Sequence, residues 1–380
     1  MQPNNDFPRE FLKETKAARL AYFTTYRVAH PKLMEVDEKL WQSLREPGDA
    51  KLICLFGPTG SGKTTVRERV TQRLLEQDQA LMAQDPGYLP IASVDAVAPD
   101  SGKFSWRDYY KRALEALDDP FYGRSMIPFG VGVRWSAPEM RRALEKALKH
   151  RRVTTFIIDE AQHVTKLGSA RKYMDQMNCL KSLAGITGTV HVLVGTYELL
   201  EFRNLSGQLT RRSRDIHFRR YKASRKEDRK AWHNLLWAFQ RNLPLSEEPN
   251  LLGQWEFCYE RSLGCVGILK DWLDRALKIA LETDRHTIDS NLLEQTALSV
   301  TKCGEMAREI SEQEDNLEES EEARSNLRKL LGLTDKAANQ EKSGHQEEKI
   351  SKPKHASGKV GQRKPGRDPI GGNQNESGGD

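Results

Sequence analysis

The chain has 380 residues, more than one hydrophobic core usually organises, so we expect one large or two modest domains followed by a tail. Hydrophobic residues make up 37% and charged residues 30%, which is typical of a soluble globular protein that carries a polar segment. The formal charge of +6 is compatible with nucleic-acid contact but is too small to establish it.

Cysteine usage and hydropathy narrow the class of protein further. The five scattered cysteines form no Cys-x-x-Cys pair, which argues against a disulfide framework and a zinc site. Neither a secretory leader nor a run of about 18 apolar residues is present, so we expect a cytoplasmic protein without membrane contact.

The first half of the chain alternates between helical and strand patterns. Apolar positions between Glu10 and Arg45 predict two N-terminal helices, which His30-Pro31 separates. The short apolar run from Lys51 to Phe56 is followed by a glycine. This pattern predicts a strand that is buried on both faces of a parallel sheet. Further strands are predicted over 89–94, 153–158, 189–194 and 216–218, and helices over 63–77, 106–117, 138–150 and 171–183. This rhythm predicts an α/β fold with a doubly wound parallel sheet.

From about Ser224 onward, helical spacing replaces the strand patterns. Ser224-Arg-Lys-Glu227 has the spacing of a capping box and predicts the start of a helix. An acidic block over 309–322, a short amphipathic patch over 327–333 and a Lys/Gly/Ser/Pro-rich end predict a largely disordered tail. The predicted organisation is an N-terminal helical segment (1–48), an α/β domain (49–222), a small all-helical lid domain (223–304) and a charged tail (305–380).

A glycine-rich motif follows the first predicted strand. The motif is Gly57-Pro58-Thr59-Gly60-Ser61-Gly62-Lys63-Thr64, which matches the Walker A pattern and is followed by Thr65 at the start of a predicted helix. Its glycines let backbone N–H groups surround phosphates, and the helix N-terminus favours negative charge. We expect Lys63 to neutralise the β- and γ-phosphate oxygens of ATP, and Thr64 to bind Mg²⁺.

An acidic pair ends the strand predicted over 153–158. Asp159 and Glu160 stand where an open α/β sheet places its ligand. We expect Asp159 to hold Mg²⁺, and Glu160 to orient and deprotonate the attacking water. Hydrolysis of ATP is therefore the expected chemistry, and this stretch is the Walker B motif.

Two further features are candidates for reading the γ-phosphate. Thr196 follows the strand predicted over 189–194 and either faces the phosphate or caps the next helix; both roles are compatible. Arg211, Arg212 and Arg214 precede the last predicted strand. One of them is expected to reach the γ-phosphate of a neighbouring subunit, which would make the protein oligomeric; a solvated or DNA-facing basic turn is the alternative.

With these motifs in place, the chain resembles the TniB/TnsC family of transposition AAA+ ATPases, which link a target-site selector to a transposase. The resemblance covers roughly residues 15–302. It depends on Arg19 to Pro31, the Walker A loop, Ile157-Ile-Asp-Glu-Ala-Gln-His163, Val192-Leu-Val-Gly-Thr196, the arginine cluster and Ser262 to Leu269. It implies an AAA+ P-loop NTPase whose helical filament or ring, with six or seven subunits per turn, assembles on double-stranded DNA with ATP and Mg²⁺.

The resemblance also implies roles for individual residues. Relatives often carry a sensor arginine directly after the second glycine of Gly264-x-x-Gly267, where this sequence has Ile268; either Lys270 replaces that arginine or the lid senses nucleotide more weakly. The positions at which relatives touch the DNA backbone without reading sequence correspond to Lys103, Arg107 and Arg134. An ordinary solvated charge is the alternative for each. The tail would dock transposase subunits or merely aid solubility.

Three other functions are alternatives to regulation of transposition. A helicase-loader or initiator ATPase would carry an added DNA-reading module such as a helix-turn-helix, and none is convincing in the sequence. A protein-sensing signalling NTPase would carry a long repeat array after the lid. A nucleotide-binding scaffold without hydrolysis would commonly lack the carboxylate at Glu160.

Overall fold

The computed structural model describes residues 7–98, 104–118, 135–165, 170–200, 213–317 and 321–333. Contacts divide the chain into two units, Met1–Glu318 and Glu319–Asp380. The first unit holds every strand described here and all but one of the α-helices. In the second unit, one helix is described, Glu321–Leu330.

The elements of the first unit follow the predicted order. The strands are β1 (Leu52–Phe56), β2 (Ile91–Asp95), β3 (Thr155–Asp159), β4 (Val190–Gly195) and β5 (Ser213–His217). The helices up to β5 are α1 (Lys16–Thr25), α2 (Pro31–Arg45), α3 (Lys63–Gln77), α4 (Gln79–Gln84), α5 (Trp106–Ala116), α6 (Ala137–His150) and α7 (Ala170–Thr187). Those after β5 are α8 (Lys226–Asn242), α9 (Trp255–Ser262), α10 (Val266–Glu282), α11 (Ser290–Thr296) and α12 (Val300–Asp315), and the second unit carries α13 (Glu321–Leu330). Short 3-10 helices span Arg9–Lys13, Ala161–Thr165 and Tyr197–Leu199.

The sheet is parallel throughout the described strands, in the order β2-β3-β4-β1-β5. Every residue of β1, β3 and β4 is buried, as expected for strands covered by helices on both faces. The outer strands β2 and β5 are only partly buried because each has one neighbour in the described sheet. The predicted α/β fold with a doubly wound parallel sheet is confirmed.

Three hydrophobic cores hold the first unit together. One core joins α5, α6 and α7 to one face of the sheet, and a second joins α2 and α3 to the other. The third core lies in the helical domain and includes Phe23 of α1, which packs against Phe239 of α8 with ring centroids 6.1 Å apart. The N-terminal helices thus connect the sheet to the lid, α2 through the sheet core and α1 through the lid core.

The start of the lid differs from the predicted capping box. Helix α8 begins at Lys226, and its N-cap residue, Arg225, makes no side-chain capping bond. Asp228 instead accepts hydrogen bonds from the backbone N–H of Lys222 at 2.8 Å and from Lys32 Nζ at 2.7 Å. The capping-box prediction at Ser224 is therefore wrong, because the acidic side chain of the first turn ties the connection between sheet and lid to α2.

The last helix of the first unit crosses the predicted boundary after residue 304. Cys303 and Ile310 of α12 join the sheet core, and Glu314 is buried. Its carboxylate pairs with Arg220 Nε at 3.1 Å and with Lys222 Nζ at 3.2 Å. The acidic composition of this stretch predicts a tail from residue 305. In the structure, α12 continues to Asp315, and Glu314 anchors it to the connection between sheet and lid.

We expect the Glu314 anchor to contribute strongly to stability. Glu314→Gln removes the negative charge that faces Arg220 and Lys222. Removing one partner of a buried ion pair destabilises the folded state by about 3 kcal/mol. The free energy of unfolding, measured by urea denaturation, should therefore fall by about 3 kcal/mol. The exposed Glu312 of the same helix provides the matched control, since Glu312→Gln should change stability by less than about 0.5 kcal/mol. Equal effects of the two variants would contradict the anchor.

Within the ranges that the structure describes, no helix is long and apolar enough to cross a membrane. In the second unit, helix α13 is amphipathic, and Leu327, Leu330 and Leu331 are exposed.

Candidate nucleotide-binding site

The carboxyl ends of three central strands meet beside one cavity of about 510 Å³. β1 leads into the Walker A loop, β3 ends at Asp159 and β4 is followed by Thr196. Ligands of open α/β sheets bind at this edge, and the volume falls in the range of small-molecule sites. Residues lining the cavity include Thr59, Gly60, Ser61, Gly62, Lys63, Thr64, Thr65, Asp159, Glu160, Gln162, Thr196 and Lys270. The motifs that the sequence predicts therefore share one cavity.

The Walker A loop has the conformation that its glycines allow. Gly60 has a φ of 75° and Gly62 a φ of 108°, a region that residues with a Cβ rarely adopt. Gly57 and Pro58 do not line the cavity, but their carbonyl oxygens accept hydrogen bonds from Lys63 Nζ at 3.0 and 2.9 Å. Burial lowers the pKa of the Lys63 ammonium, against the effect of the nearby Glu160. The lysine is held at the loop where phosphate oxygens would replace those carbonyls.

The helical domain covers the loop through a contact between two backbones. The N–H of Gly267, at the start of α10, donates to the carbonyl oxygen of Gly60 at 2.6 Å. A Cβ at position 267 would lie 2.7 Å from that oxygen, and one at position 60 would lie 2.6 Å from Ile268 Cγ1. Glycine at both positions therefore permits direct contact between lid and phosphate-binding loop.

The lid and the N-terminal segment complete the rest of the cavity. Tyr26, Val28 and His30, between α1 and α2, line it together with Phe239 and Val266 of the lid. This end of the cavity combines these aromatic and apolar side chains with the polar residues Thr24, Arg27, Asp271 and Asp274. A mixture of this kind is typical of small-molecule sites. The residues of this end carry no motif, so the sequence does not identify them as part of the site.

Asp159 has a partner that the sequence analysis missed. Arg67 of α3 pairs with Asp159 at 2.7 Å and with Asp95 of β2 at 3.1 Å. Burial raises the pKa of the Asp159 carboxyl, while the Glu160 backbone N–H and Arg67 act in the opposite direction. Arg67 lies one helical turn after Lys63 and therefore on the same face of α3, a spacing that could have identified it.

Glu160 is held in an uncommon backbone conformation. Its φ is 51°, which is rare for a residue other than glycine and concentrates at functional sites. Its side chain is exposed and accepts a hydrogen bond from Gln162 Nε2, while the Oε1 of the same amide accepts from the backbone N–H of Thr196 at 3.2 Å. Gln162 thus connects the predicted water-activating residue Glu160 with Thr196, a predicted reader of the γ-phosphate.

The side chain of Thr196 faces the cavity and does not cap a helix. Thr196 stands at the N-cap position of the 3-10 helix Tyr197–Leu199, but its side chain makes no capping bond. Its Oγ1 is buried without a hydrogen-bond partner among the described residues, and so is the Oγ of Ser61 in the loop. Buried hydroxyls of this kind are costly unless a ligand or water satisfies them. Their position favours phosphate oxygens as that ligand.

Lys270 lines the cavity but its charge is already paired. Its Nζ lies 2.7 and 2.6 Å from the two carboxylate oxygens of Asp274, and 4.3 Å from the ring centroid of Phe23. Burial lowers its pKa, and Asp274 opposes that shift. A sensor role for Lys270 would require it to leave Asp274, so the structure favours a local structural role for this lysine.

The remaining predicted site residues do not line the cavity or cannot be placed. Arg214 lies in β5 opposite Ile53, towards the amino end of the strands and away from the Walker A loop. Arg107 is exposed in the first turn of α5. The predictions for Lys103, Arg134, Arg211 and Arg212 lie outside the described residues.

The side chains of the site include the donors that are needed to bind ATP together with Mg²⁺. Thr64, exposed in the first turn of α3, and Asp159 provide the hydroxyl and carboxylate that a P-loop uses for the ion. Across the described ranges, no group of three or more His, Cys, Asp or Glu side chains could hold a metal by itself. With a nucleotide bound, Mg²⁺ held by Thr64 and Asp159 would share its coordination with phosphate oxygens, as it does in nucleotide sites.

Comparisons with known proteins agree with this geometry. Residues 45–202 match the family model described as an AAA domain. No curated protein matches the sequence at a significant level.

Three solved structures illustrate the similarity of the fold. The ORC2 protein of Aeropyrum pernix is 14% identical, with 73% of this chain and 72% of that chain covered and a TM-score of 0.47. The Cdc6p protein of Pyrobaculum aerophilum is 15% identical, with 70% and 67% covered and a TM-score of 0.44. Domain III of the Thermotoga maritima replication initiation protein DnaA is 12% identical, with 76% and 95% covered and a TM-score of 0.35.

Fold and site together define the class of protein. The chain has the AAA+ P-loop NTPase fold: a parallel five-stranded sheet with helices on both faces, followed by a helical domain. Its Walker A loop, Walker B pair and Thr196 face one cavity, which the helical domain covers.

Proposed function

We propose that the chain is a Mg²⁺-dependent ATPase that works as a nucleotide-controlled switch. The observation that carries this proposal is the meeting of Lys63, Glu160 and Thr196 on one cavity beneath the lid. Lys63 would neutralise the transferred phosphoryl group, Glu160 would orient and deprotonate the attacking water, and Thr196 would hydrogen-bond the γ-phosphate. Magnesium, when bound, would offset the negative charge that develops on the phosphate oxygens.

The same geometry supports control of lid position by the nucleotide. The lid touches the Walker A loop directly through Gly267 and Gly60, so phosphate bound in that loop would bias where the lid rests. A change between ATP and ADP can shift this equilibrium only through a difference in contacts. Thr196, whose hydroxyl has no partner among the described residues, is the group best placed to supply that difference.

We propose further that the active site is completed by a second copy of the chain. Arg214 lies towards the amino end of β5 and does not line its own cavity, so an arginine of this region would act on the γ-phosphate of a neighbouring subunit. Arg211 and Arg212 are part of the same proposal. Hydrolysis would then depend on assembly into a ring or filament.

The proposed cellular role is regulation of DNA transposition, in which the assembly encircles duplex DNA and links a target selector to a transposase. Support comes from the sequence features Asp159-Glu-Ala-Gln-His163, Val194-Gly-Thr196 and Gly264-x-x-Gly267, which form the Walker B end, the Thr196 turn and the lid contact. The second candidate is a helicase-loader or initiator ATPase, the class to which the DnaA protein in the comparison belongs by its description as a replication initiation protein.

Binding to duplex DNA of unrelated sequences tests the role. Anisotropy and electron microscopy would be performed with ATP, with a slowly hydrolysed analogue and with ADP. We expect rings or filaments on any duplex with the triphosphates only, because phosphate contacts read no sequence. Preference for one sequence would favour the initiator class, and no DNA binding with any nucleotide would refute both roles while leaving the ATPase intact.

A further inference from the structure

Two helices of the first unit, α6 and α12, carry exposed charges of opposite sign at the same spacing. On α6, three exposed cations form a basic stripe, which consists of Arg142, Lys146 and Lys149. On α12, three exposed carboxylates form an acidic stripe, which consists of Glu305, Glu309 and Glu312. Both stripes follow the spacing i, i+4, i+7, so each lies along one face of its helix and is about 10 Å long. The two stripes therefore match in length and differ in sign.

The inversion of sign extends to the charges beside the stripes. A residue of the opposite charge stands three positions before and three positions after the first member of each stripe; these are Glu139 and Glu145 on α6, and Lys302 and Arg308 on α12. Positions three apart are neighbours on a helix surface. Each helix thus presents three charges of one sign flanked by two of the other, and the whole pattern is inverted between α6 and α12.

The stripes do not satisfy each other within one chain. Both helices pack into the same hydrophobic core, α6 through Met140 and Leu144 and α12 through Cys303 and Ile310, so their charged faces point outward. Among the described residues, the six side chains of the stripes form no ion pair and no hydrogen bond. Their opposite charges are therefore available to a partner outside the chain.

We propose that the basic stripe of one copy of the chain docks on the acidic stripe of the next copy. Contact between two different faces of identical chains is head-to-tail, and it produces a ring or a filament. Opposite charges across such an interface steer association and fix its register. DNA phosphates would also suit the basic stripe, but a second copy accounts for the inverted pattern on α12 as well. This inference rests on the proposed assembly of the ATPase and names the surfaces that join its copies.

The test reverses the charge of each stripe in the full chain. One variant combines Arg142→Glu, Lys146→Glu and Lys149→Glu; the other combines Glu305→Lys, Glu309→Lys and Glu312→Lys. Sedimentation velocity with a slowly hydrolysed ATP analogue, with and without duplex DNA, measures assembly. In each variant alone, stripes of like charge would meet, so assembly should require about tenfold more protein. In an equal mixture, the two reversed stripes meet each other and the two native stripes meet each other, so assembly should return to the wild-type level.

A control variant separates the stripes from net charge. It reverses three exposed cations of the lid, with Lys226→Glu, Lys230→Glu and Lys278→Glu, and so changes the net charge as much as reversal of the basic stripe does. It should assemble as the wild type does. All reversed positions are exposed, so melting temperatures should stay close to that of the wild type. If either stripe variant unfolds, the single changes Lys146→Glu and Glu309→Lys give the same comparison, with a smaller expected effect of about threefold.

The outcomes separate this inference from the proposed function. A wild-type chain that stays monomeric with the analogue, with and without DNA, would overturn the proposed assembly itself. If the wild type assembles and both stripe variants assemble at the same protein concentration, the stripes do not join the copies. If only the variant with the reversed basic stripe is weakened, and only on DNA, that stripe meets DNA phosphates and the inference is refuted. A mixture that assembles no better than its two components would refute it too.

Discussion

Replacing Lys63 with Ala should abolish ATP binding, whereas Glu160→Gln should preserve binding and stop hydrolysis. Lys63 is the partly buried lysine of the Walker A loop, and losing a charge-assisted contact to phosphate costs about 3 kcal/mol, or roughly 100-fold in affinity. Glu160→Gln keeps the size of the side chain and one acceptor oxygen but removes the base. Titration with a fluorescent ATP analogue measures the first effect, and phosphate release measures the second.

The two variants together also test the switch. Lys63→Ala should prevent assembly on DNA, because no triphosphate is held. Glu160→Gln should accumulate the assembled state, because the triphosphate is not consumed, and its rate of phosphate release should fall at least about 100-fold. Equal loss of assembly in both variants would contradict a switch controlled by hydrolysis. Exposed Glu68 of α3 offers a control, since Glu68→Gln should leave binding and turnover unchanged.

Much of the fold and the phosphate end of the site follow from local patterns. The apolar runs that become β1, β3 and β4 are buried on both faces, so their composition reports their position in the sheet. The predicted span of α3, from Lys63 to Gln77, is the one observed. The residues proposed to bind phosphate belong to a loop contiguous in sequence, so the sequence predicts them together.

Features that join distant segments could not be predicted in this way. Asp159 pairs with Arg67 although 92 residues separate them, and Glu314 meets Arg220 across 94 residues. Helical spacing from Lys63 places Arg67 on the face of α3 that meets the site, but no local spacing encodes its pairing with Asp159. Capping boxes illustrate the same limit. Ser136 and Glu139 form a capping box at the start of α6. Ser224 forms none at the start of α8, where Asp228 accepts a hydrogen bond from Lys32 instead. Tertiary partners decide between equivalent local patterns.

The contact between lid and loop leads to the second large effect. In Gly267→Ala the new Cβ would lie 2.7 Å from the carbonyl oxygen of Gly60 and 3.1 Å from its Cα. Both atoms belong to backbone, so a side chain cannot turn away to relieve the overlap. Forcing extra atoms into such a contact costs about 1–3 kcal/mol. We expect α10 to move off the loop and ATP affinity to fall about tenfold or more.

Gly304 makes the matched control for this substitution. A Cβ there meets no atom within 4 Å, and Gly304 lies within helix α12, where alanine is favoured over glycine. Gly304→Ala should therefore keep ATP affinity and raise the melting temperature slightly. Fluorescence titration and thermal melting measure both variants. If Gly267→Ala bound ATP as tightly as the wild type, closure of the lid on Gly60 would not contribute to nucleotide binding, and coupling between the site and the lid would have to run through the N-terminal segment at Tyr26 and Val28.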